Sequence, residues 1–368
     1  MDFTYYLTEQ LQTHPATQPQ DIVKQCYQAA FGAEHLLSDP DQARNYLAHE
    51  FQSTAASAQL PLYEAISDHV CRVNLAAWKH RNLPMEWLFR MFAASASATS
   101  QPGPTTPDKA DREHSRAQFL SYLDTAEAMI LQGQLPVSFS AEDWLNYLAA
   151  YKKDGMTAVH HSEAYRQAEA PAYRILQAQY VRLIPILEAA ATLPPPCVIA
   201  IDGRAASGKT TMARQLAEIL DGDIIQMDDF FLPPALRTEE RLRTPGGNVH
   251  YERFREEVLS QLHSGESFSY RRFDCHIMDY HGLREVGSQP VRIVEGSYSC
   301  HPALGRYADI QVFSHVGPSQ QINRILQRNG AETAEMFRTH WIPMEEMYFQ
   351  KCSIGTRDTI LIDSTDLF

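Results

Sequence analysis

The sequence predicts an α/β protein: a mainly parallel, five-stranded sheet in the C-terminal half, preceded by a mostly α-helical N-terminal half. Three observations predict it. From residue 197 onward, short apolar runs alternate with amphipathic ones. Before residue 190, apolar residues recur at helical spacing and β-branched alternation is scarce. Between the halves stands "ATLPPP", residues 191–196, where three prolines read as a stiff connector. The expected organisation is a helical domain at 1–190, a linker at 191–196 and a second domain at 197–368.

In the N-terminal half, "AISDHVCRVNLAAW" and "EDWLNYLAAY" both show helical periodicity. So does "AYRILQAQYVRLIPILEAA", which spaces Tyr173, Leu176, Tyr180, Leu183, Ile184 and Leu187 for one helix, with Pro185 kinking or dividing it. The segment "SASATSQPGPTTPDKADREHS", residues 95–115, is rich in Ser, Thr, Pro and Gly and predicts a loop or a flexible insertion. No internal repeat is evident. Glu34, His35, His160, His161 and Glu163 are of the types that ligate metals. Zinc, however, needs three or four converging groups, and such histidines are more often helix caps or hydrogen-bonded interface groups. A regulatory or acceptor-shaping role is the expectation for this half.

In the C-terminal half the expected strands are 197–202, 223–227, 291–295, 308–313 and 358–362, with helical runs at 209–221, 251–263, 318–329 and 335–351. After the first, buried apolar strand comes Gly203-Arg204-Ala205-Ala206-Ser207-Gly208-Lys209-Thr210, the pattern G-x-x-x-x-G-K-[ST]. Glycines let the backbone wrap phosphate oxygens with its N–H groups pointing inward. Lys209 would reach the β- and γ-phosphates, and the Thr210 hydroxyl would sit on Mg²⁺. Met212, Leu216, Ile219 and Leu220 share one face of the helix that follows, whose dipole adds positive character at the turn. The segment Gly203 to Thr211 (Thr211 included) is therefore the candidate nucleotide-phosphate cradle.

The next two strands end in acids. Met227-Asp228-Asp229-Phe230-Phe231 places carboxylates at the carboxyl edge of the sheet, where an acid can take the proton of an attacking hydroxyl. A helix cap or turn pair is the plainer reading. Val294-Glu295-Gly296-Ser297-Tyr298 places Glu295 to hold Mg²⁺ through water or to support the base. The alternative is a partly exposed strand-end acid. In "YRRFDCHIMDY", residues 270–280, Phe273 could stack on a small polar ring and Asp274 could take its hydrogen bonds; a surface hairpin with aromatics packed on the sheet fits the same residues. Trp341 and Tyr348 read as a packed helix face.

The set "GRAASGKTT", "QMDDFF", "VEGSY" and "NRILQRNG" resembles the uridine kinase and nicotinamide riboside kinase group of P-loop kinases, over residues 197–368. The resemblance implies a P-loop NTPase kinase fold, dependence on ATP and Mg²⁺, and transfer of a γ-phosphoryl group to a hydroxyl of a nucleoside, riboside or related small molecule. It makes Lys209 the phosphate-binding lysine, Asp228 the acid that activates the acceptor, and Thr210, Asp228 and Glu295 the metal set. Asp229, the neighbouring alternative for that acid, and Phe230 then lie on the acceptor side, and Arg324 and Arg328 match lid arginines, although solvated helix charges would look the same. Two departures stand out. His250, in "GGNVHYERF", occupies the position where the family carries an Asp for the ribose hydroxyls, and Arg328-Asn329 replaces an Arg-Asp pair. A neutral imidazole cannot accept two hydroxyl hydrogens as a carboxylate can.

Composition narrows the partners. The chain has 368 residues, 44% hydrophobic and 21% charged, which is ordinary for a soluble globular protein. A net charge of -13 argues against nucleic acid as a main partner. No apolar stretch reaches membrane-spanning length, no signal peptide is evident, and a cytoplasmic location is the expectation. The 6 cysteines are scattered without a C-x-x-C pair. A rival class also stands: an ATP-dependent switch that controls the helical half and has no acceptor. The acceptor's identity and the oligomeric state, a homo-oligomer included, are not specified by the sequence.

Overall fold

A computed structural model describes residues 2–97, 109–275, 277–356 and 358–365. The chain divides into two compact units, Met1–Val181 and Arg182–Phe368.

The first unit contains helices α1 (Phe3–Thr13), α2 (Pro19–Phe31), α3 (Pro40–Ser53), α4 (Leu75–His80), α5 (Met85–Ser97), α6 (Lys109–Leu131), α7 (Ala141–Lys153) and α8 (Glu163–Glu169). Leu7, Ile22, Cys26, Phe119 and Trp144 form the centre of its core. Helix α7 starts at a capping box in which Ser140 and Asp143 satisfy each other's backbone N–H. This unit also holds an antiparallel sheet of β1 (Tyr63–Ala65), β2 (Val70–Asn74) and β3 (Tyr173–Gln177). That corrects the helical expectation for "AISDHVCRVNLAAW" and "AYRILQ". Over five residues an apolar run satisfies helix and strand spacing alike. The long-range pairing of Val70 with Gln177 and Asn74 with Tyr173 decides the matter, and Val70, Val73 and Ile175 suit it as β-branched residues. Of the insertion expected at 95–115, the flanks are helical, in α5 and α6, and 98–108 lie outside the described residues. Among the described residues no three His, Cys, Asp or Glu gather as a metal site. His161 instead bonds Asp21 at 2.8 Å and the Tyr173 hydroxyl at 2.7 Å.

The second unit begins ahead of the proline segment. Its first helix, α9 (Ile184–Ala190), buries Ile184, Ile186 and Leu187. Then follow β4 (Cys197–Gly203), α10 (Lys209–Leu220), β5 (Gly222–Gln226), α11 (Glu239–Arg243), α12 (Tyr251–Phe254), the hairpin strands β6 (Phe268–Asp274) and β7 (Asp279–Val286), β8 (Val291–Glu295), β9 (Ile310–His315), α13 (Pro318–Met336), α14 (Ile342–Lys351) and β10 (Thr359–Asp363). The five main strands are all parallel, in the order β10-β9-β4-β8-β5. The α/β class and the parallel sheet are as the sequence predicts. Strand β4 is buried along its whole length, as its central place requires. Two helices depart from the expected runs. Helix α12 passes into a π turn at Arg255–Leu259, and α13 is broken at Gly330, whose φ of 82° ends the first helical segment.

Candidate active site

Strand β4 lies between β8 and β9, so the chain's crossovers run in opposite directions from its carboxyl end. Open α/β sheets leave a ligand crevice at that point. The backbone there is a run of left-handed conformations: Gly203 at φ 136°, Ala206 at 58° and Gly208 at 88°. At Gly203 a Cβ would stand 2.1 Å from the Ser314 carbonyl oxygen, so only glycine fits. Gly208 caps the start of α10, which directs the helix N-terminus at the turn.

Lys209 Nζ donates to the carbonyls of Gly203 at 2.8 Å and Arg204 at 2.9 Å, holding its ammonium over the loop. The Thr210 hydroxyl donates to Glu295 at 3.1 Å. A cavity of about 460 Å³ is lined by Ala205, Ala206, Gly208, Lys209, Thr210 and Thr211 together with Asp228, Glu295 and Arg328. Asp228 is exposed to this crevice, whose protein walls desolvate its carboxyl. That desolvation raises its pKa. Lys209 and Arg328 pull the other way, and the charge of Asp229 adds to the rise. Glu295 is raised as well, first by burial and then by Asp228, against the pull of Lys209 and Thr210. The donor set fits Mg²⁺: one hydroxyl and two carboxylates, all oxygen, few enough to leave positions for water and phosphate. The turn and helix terminus fit a phosphate chain.

Other predicted residues sit elsewhere. Arg324 donates to the Ala206 carbonyl at 3.2 Å and to Ser364, so it braces the loop rather than facing the cavity. Asp229 is 4% exposed and accepts from Tyr270 at 3.0 Å and Arg284 at 2.7 Å, which makes it an anchor for the β6–β7 hairpin. Phe230 is fully buried against Phe254 and Tyr270, and Phe273 packs edge-on to Tyr280; neither lines the cavity. Asp274 ends β6 outside the lining, and His250 starts α12 with its N–H on the Phe230 carbonyl at 2.7 Å. In place of these acceptor-side expectations, the cavity presents Arg237, Asn248, Cys275 and Met278. Trp341, expected on a packed face, also lines it, from a π turn at Phe337–Trp341.

Three supports were missed by sequence reasoning. Asp202, fully buried at the end of β4, accepts from the N–H groups of Gly203, Tyr298 and Cys300 and from the Tyr348 hydroxyl at 2.7 Å. Glu345 accepts from the Ala205 N–H at 3.0 Å and the Ser297 hydroxyl at 2.8 Å, and Glu346 pairs with Arg204 at 2.8 Å. Helix α14 thereby holds the phosphate loop by two successive acids. An acid inside the apolar run "IAIDG" was the one available signal for Asp202; the partners of Glu345 come from distant segments.

The second unit is similar to two solved structures. One is a possible uridine kinase from Bacillus stearothermophilus, with 19% identity, covering 50% of this chain and 99% of that one, at a TM-score of 0.39. The other is a provisionally named fructose transport system kinase from Silicibacter sp. TM1040, with 21% identity, covering 46% of this chain and 94% of that one, also at 0.39. No family model and no curated protein matches the chain.

Proposed function

We propose that the protein is an ATP- and Mg²⁺-dependent phosphotransferase that moves the γ-phosphoryl group of the nucleotide onto a hydroxyl of a small molecule. One observation carries this reading: the carboxylate of Asp228 lines the same crevice as Lys209 and Thr210 of the phosphate loop. A device that only sensed nucleotide could use that carboxylate for Mg²⁺ but would have no use for the further space beside it, which Arg237, Asn248 and Trp341 line. The resemblance of the motifs to uridine and riboside kinases points the same way, and the net charge of -13 favours a small acceptor over nucleic acid.

In this reading Asp228, ionised, takes the proton of the acceptor hydroxyl as that oxygen bonds to the γ-phosphorus. The bond from the γ-phosphorus to the β–γ bridging oxygen breaks, and ADP leaves. Lys209 and Arg328 face the charge that spreads over the transferred group. Glu345, held by Ala205 and Ser297, keeps the loop in the shape that meets the phosphates. Thr210, Asp228 and Glu295 would hold Mg²⁺, which when bound would neutralise charge on the phosphates.

The test is ADP release from ATP across nucleosides, ribosides, sugars and other small alcohols. Acceptor-stimulated release is expected, abolished by Lys209→Ala. Slow hydrolysis that no acceptor stimulates would favour the switch and overturn the transferase.

A further inference from the structure

The acceptor side of the crevice has its own chemistry. A second cavity of about 470 Å³ adjoins the first and shares Arg237, Asn248 and Trp341 with it. The space beyond Asp228 therefore extends past what a phosphate chain occupies. Asn248 is 4% exposed, and its Oδ1 has no hydrogen-bond partner among the described residues. Its amide contacts the Tyr298 hydroxyl instead. Asn248 lines both cavities, and a carbonyl oxygen left unpaired in such a wall is costly unless a ligand or a water donates to it.

Arg237 is the second signal. Its Nε donates to the Leu232 carbonyl at 2.8 Å, which fixes the plane of the guanidinium. Among the described residues no carboxylate pairs with its terminal nitrogens. The acids nearby are already engaged. Glu239 pairs with Arg243 at 3.0 Å, Glu345 holds the loop and Ser297, and Glu295 holds Thr210. The terminal nitrogens of Arg237 are thus left as donors where the two cavities meet. His250, at the position where the resemblance implies an Asp for ribose hydroxyls, lies outside both linings.

We propose that the acceptor, besides its reacting hydroxyl, carries an anionic group, a carboxylate or a phosphate monoester, that docks on the terminal nitrogens of Arg237, while a donor of the same molecule meets Asn248 Oδ1. A planar fork with free donors matches either anion in a bidentate fashion. The same cation repels nicotinamide riboside, whose N-ribosylated ring bears a fixed positive charge. This inference rests on the transferase reading and narrows it to hydroxy acids and phosphorylated polyols.

The experiment compares ADP release with glycerate and ribose 5-phosphate against glycerol, ribose, uridine and nicotinamide riboside. At least about tenfold higher kcat/KM for one anionic compound over its neutral counterpart is expected; which anion wins identifies the group. Arg237→Gln should raise KM for that compound about tenfold or more, with kcat changed far less, and Arg237→Lys should restore part of it. Thermal unfolding of both variants checks the fold. Uridine or ribose serving as well as the anions, or Arg237→Gln leaving KM unchanged, overturns the anionic acceptor and leaves the transferase standing. No stimulation by any compound, with slow hydrolysis alone, overturns both.

Discussion

At the scale of single residues, Asp228 and Phe230 stand two positions apart and do unrelated work. Asp228 opens to the crevice, and desolvation by the surrounding protein raises the pKa of its carboxyl. An acid with a raised pKa is more fully protonated at any given acidic pH, so the base is lost earlier as pH falls. The acidic limb of the kcat/KM profile should therefore lie above the ordinary aspartate range of about 3.9. Asp228→Asn should lower kcat by ~10² or more and abolish that limb, while a fluorescent ATP analogue still binds. An unchanged profile in the variant would remove Asp228 from its role. Phe230, by contrast, is fully buried between Phe254 and Tyr270. Phe230→Ala should cost about 3–5 kcal/mol of stability in denaturant unfolding, with no preferential loss of one acceptor over another. The string "DDFF" makes both residues look alike as candidates. Which one faces the ligand depends on the short 3₁₀ turn Met227–Phe230, which turns Asp229 and Phe230 inward.

At the scale of elements, two turns carry most of the geometry. In the phosphate loop, Gly203 combines a φ of 136° with the backbone of Ser314 where a Cβ would go. Gly203→Ala should lower Tm by several degrees and abolish nucleotide binding, as read by thermal shift with and without ATP. Helix α1 ends at His14, whose Nε2 meets Glu64 of β1 at 3.1 Å and whose Nδ1 meets Glu169 of α8 at 3.0 Å. Burial opposes the imidazolium, but the two carboxylates outweigh it and the pKa is raised above 6.5. A base with a raised folded-state pKa contributes stability that is fully present below about 6.5 and is lost as pH rises through the folded value. Tm measured between pH 5.5 and 8.5 should fall on the alkaline side, and His14→Gln should flatten that slope. The loop motif was legible because its chemistry is local. The His14 clamp was not, since its partners lie 50 and 155 residues away in sequence.

At the scale of the whole molecule, the two units have separate cores, one around Leu7, Ile22 and Trp144 and one around Val198, Phe230 and Tyr348. A fragment of residues 182–368 should therefore unfold cooperatively on its own. A fragment starting at residue 197, where the sequence places the domain, lacks α9 and its buried Ile184, Ile186 and Leu187. Its chemical-denaturation midpoint should be clearly lower; equal midpoints would show that α9 is dispensable.

The sequence by itself determined the α/β class of the second unit, the order along the chain of its five parallel strands, and the loop from Gly203 to Thr210, because periodicity and turn chemistry act between near neighbours. It also pointed to Asp228 and Glu295, since acids at strand ends meet at one sheet edge whenever the strands run parallel. Only the tertiary structure decided the small sheet of β1, β2 and β3, the bracing by Asp202, Arg324 and Glu345, and the exchange of His250, Phe273 and Asp274 for Arg237 and Asn248 at the cavity wall. Those outcomes depend on which distant segments meet, and long-range packing leaves no periodic mark on the chain.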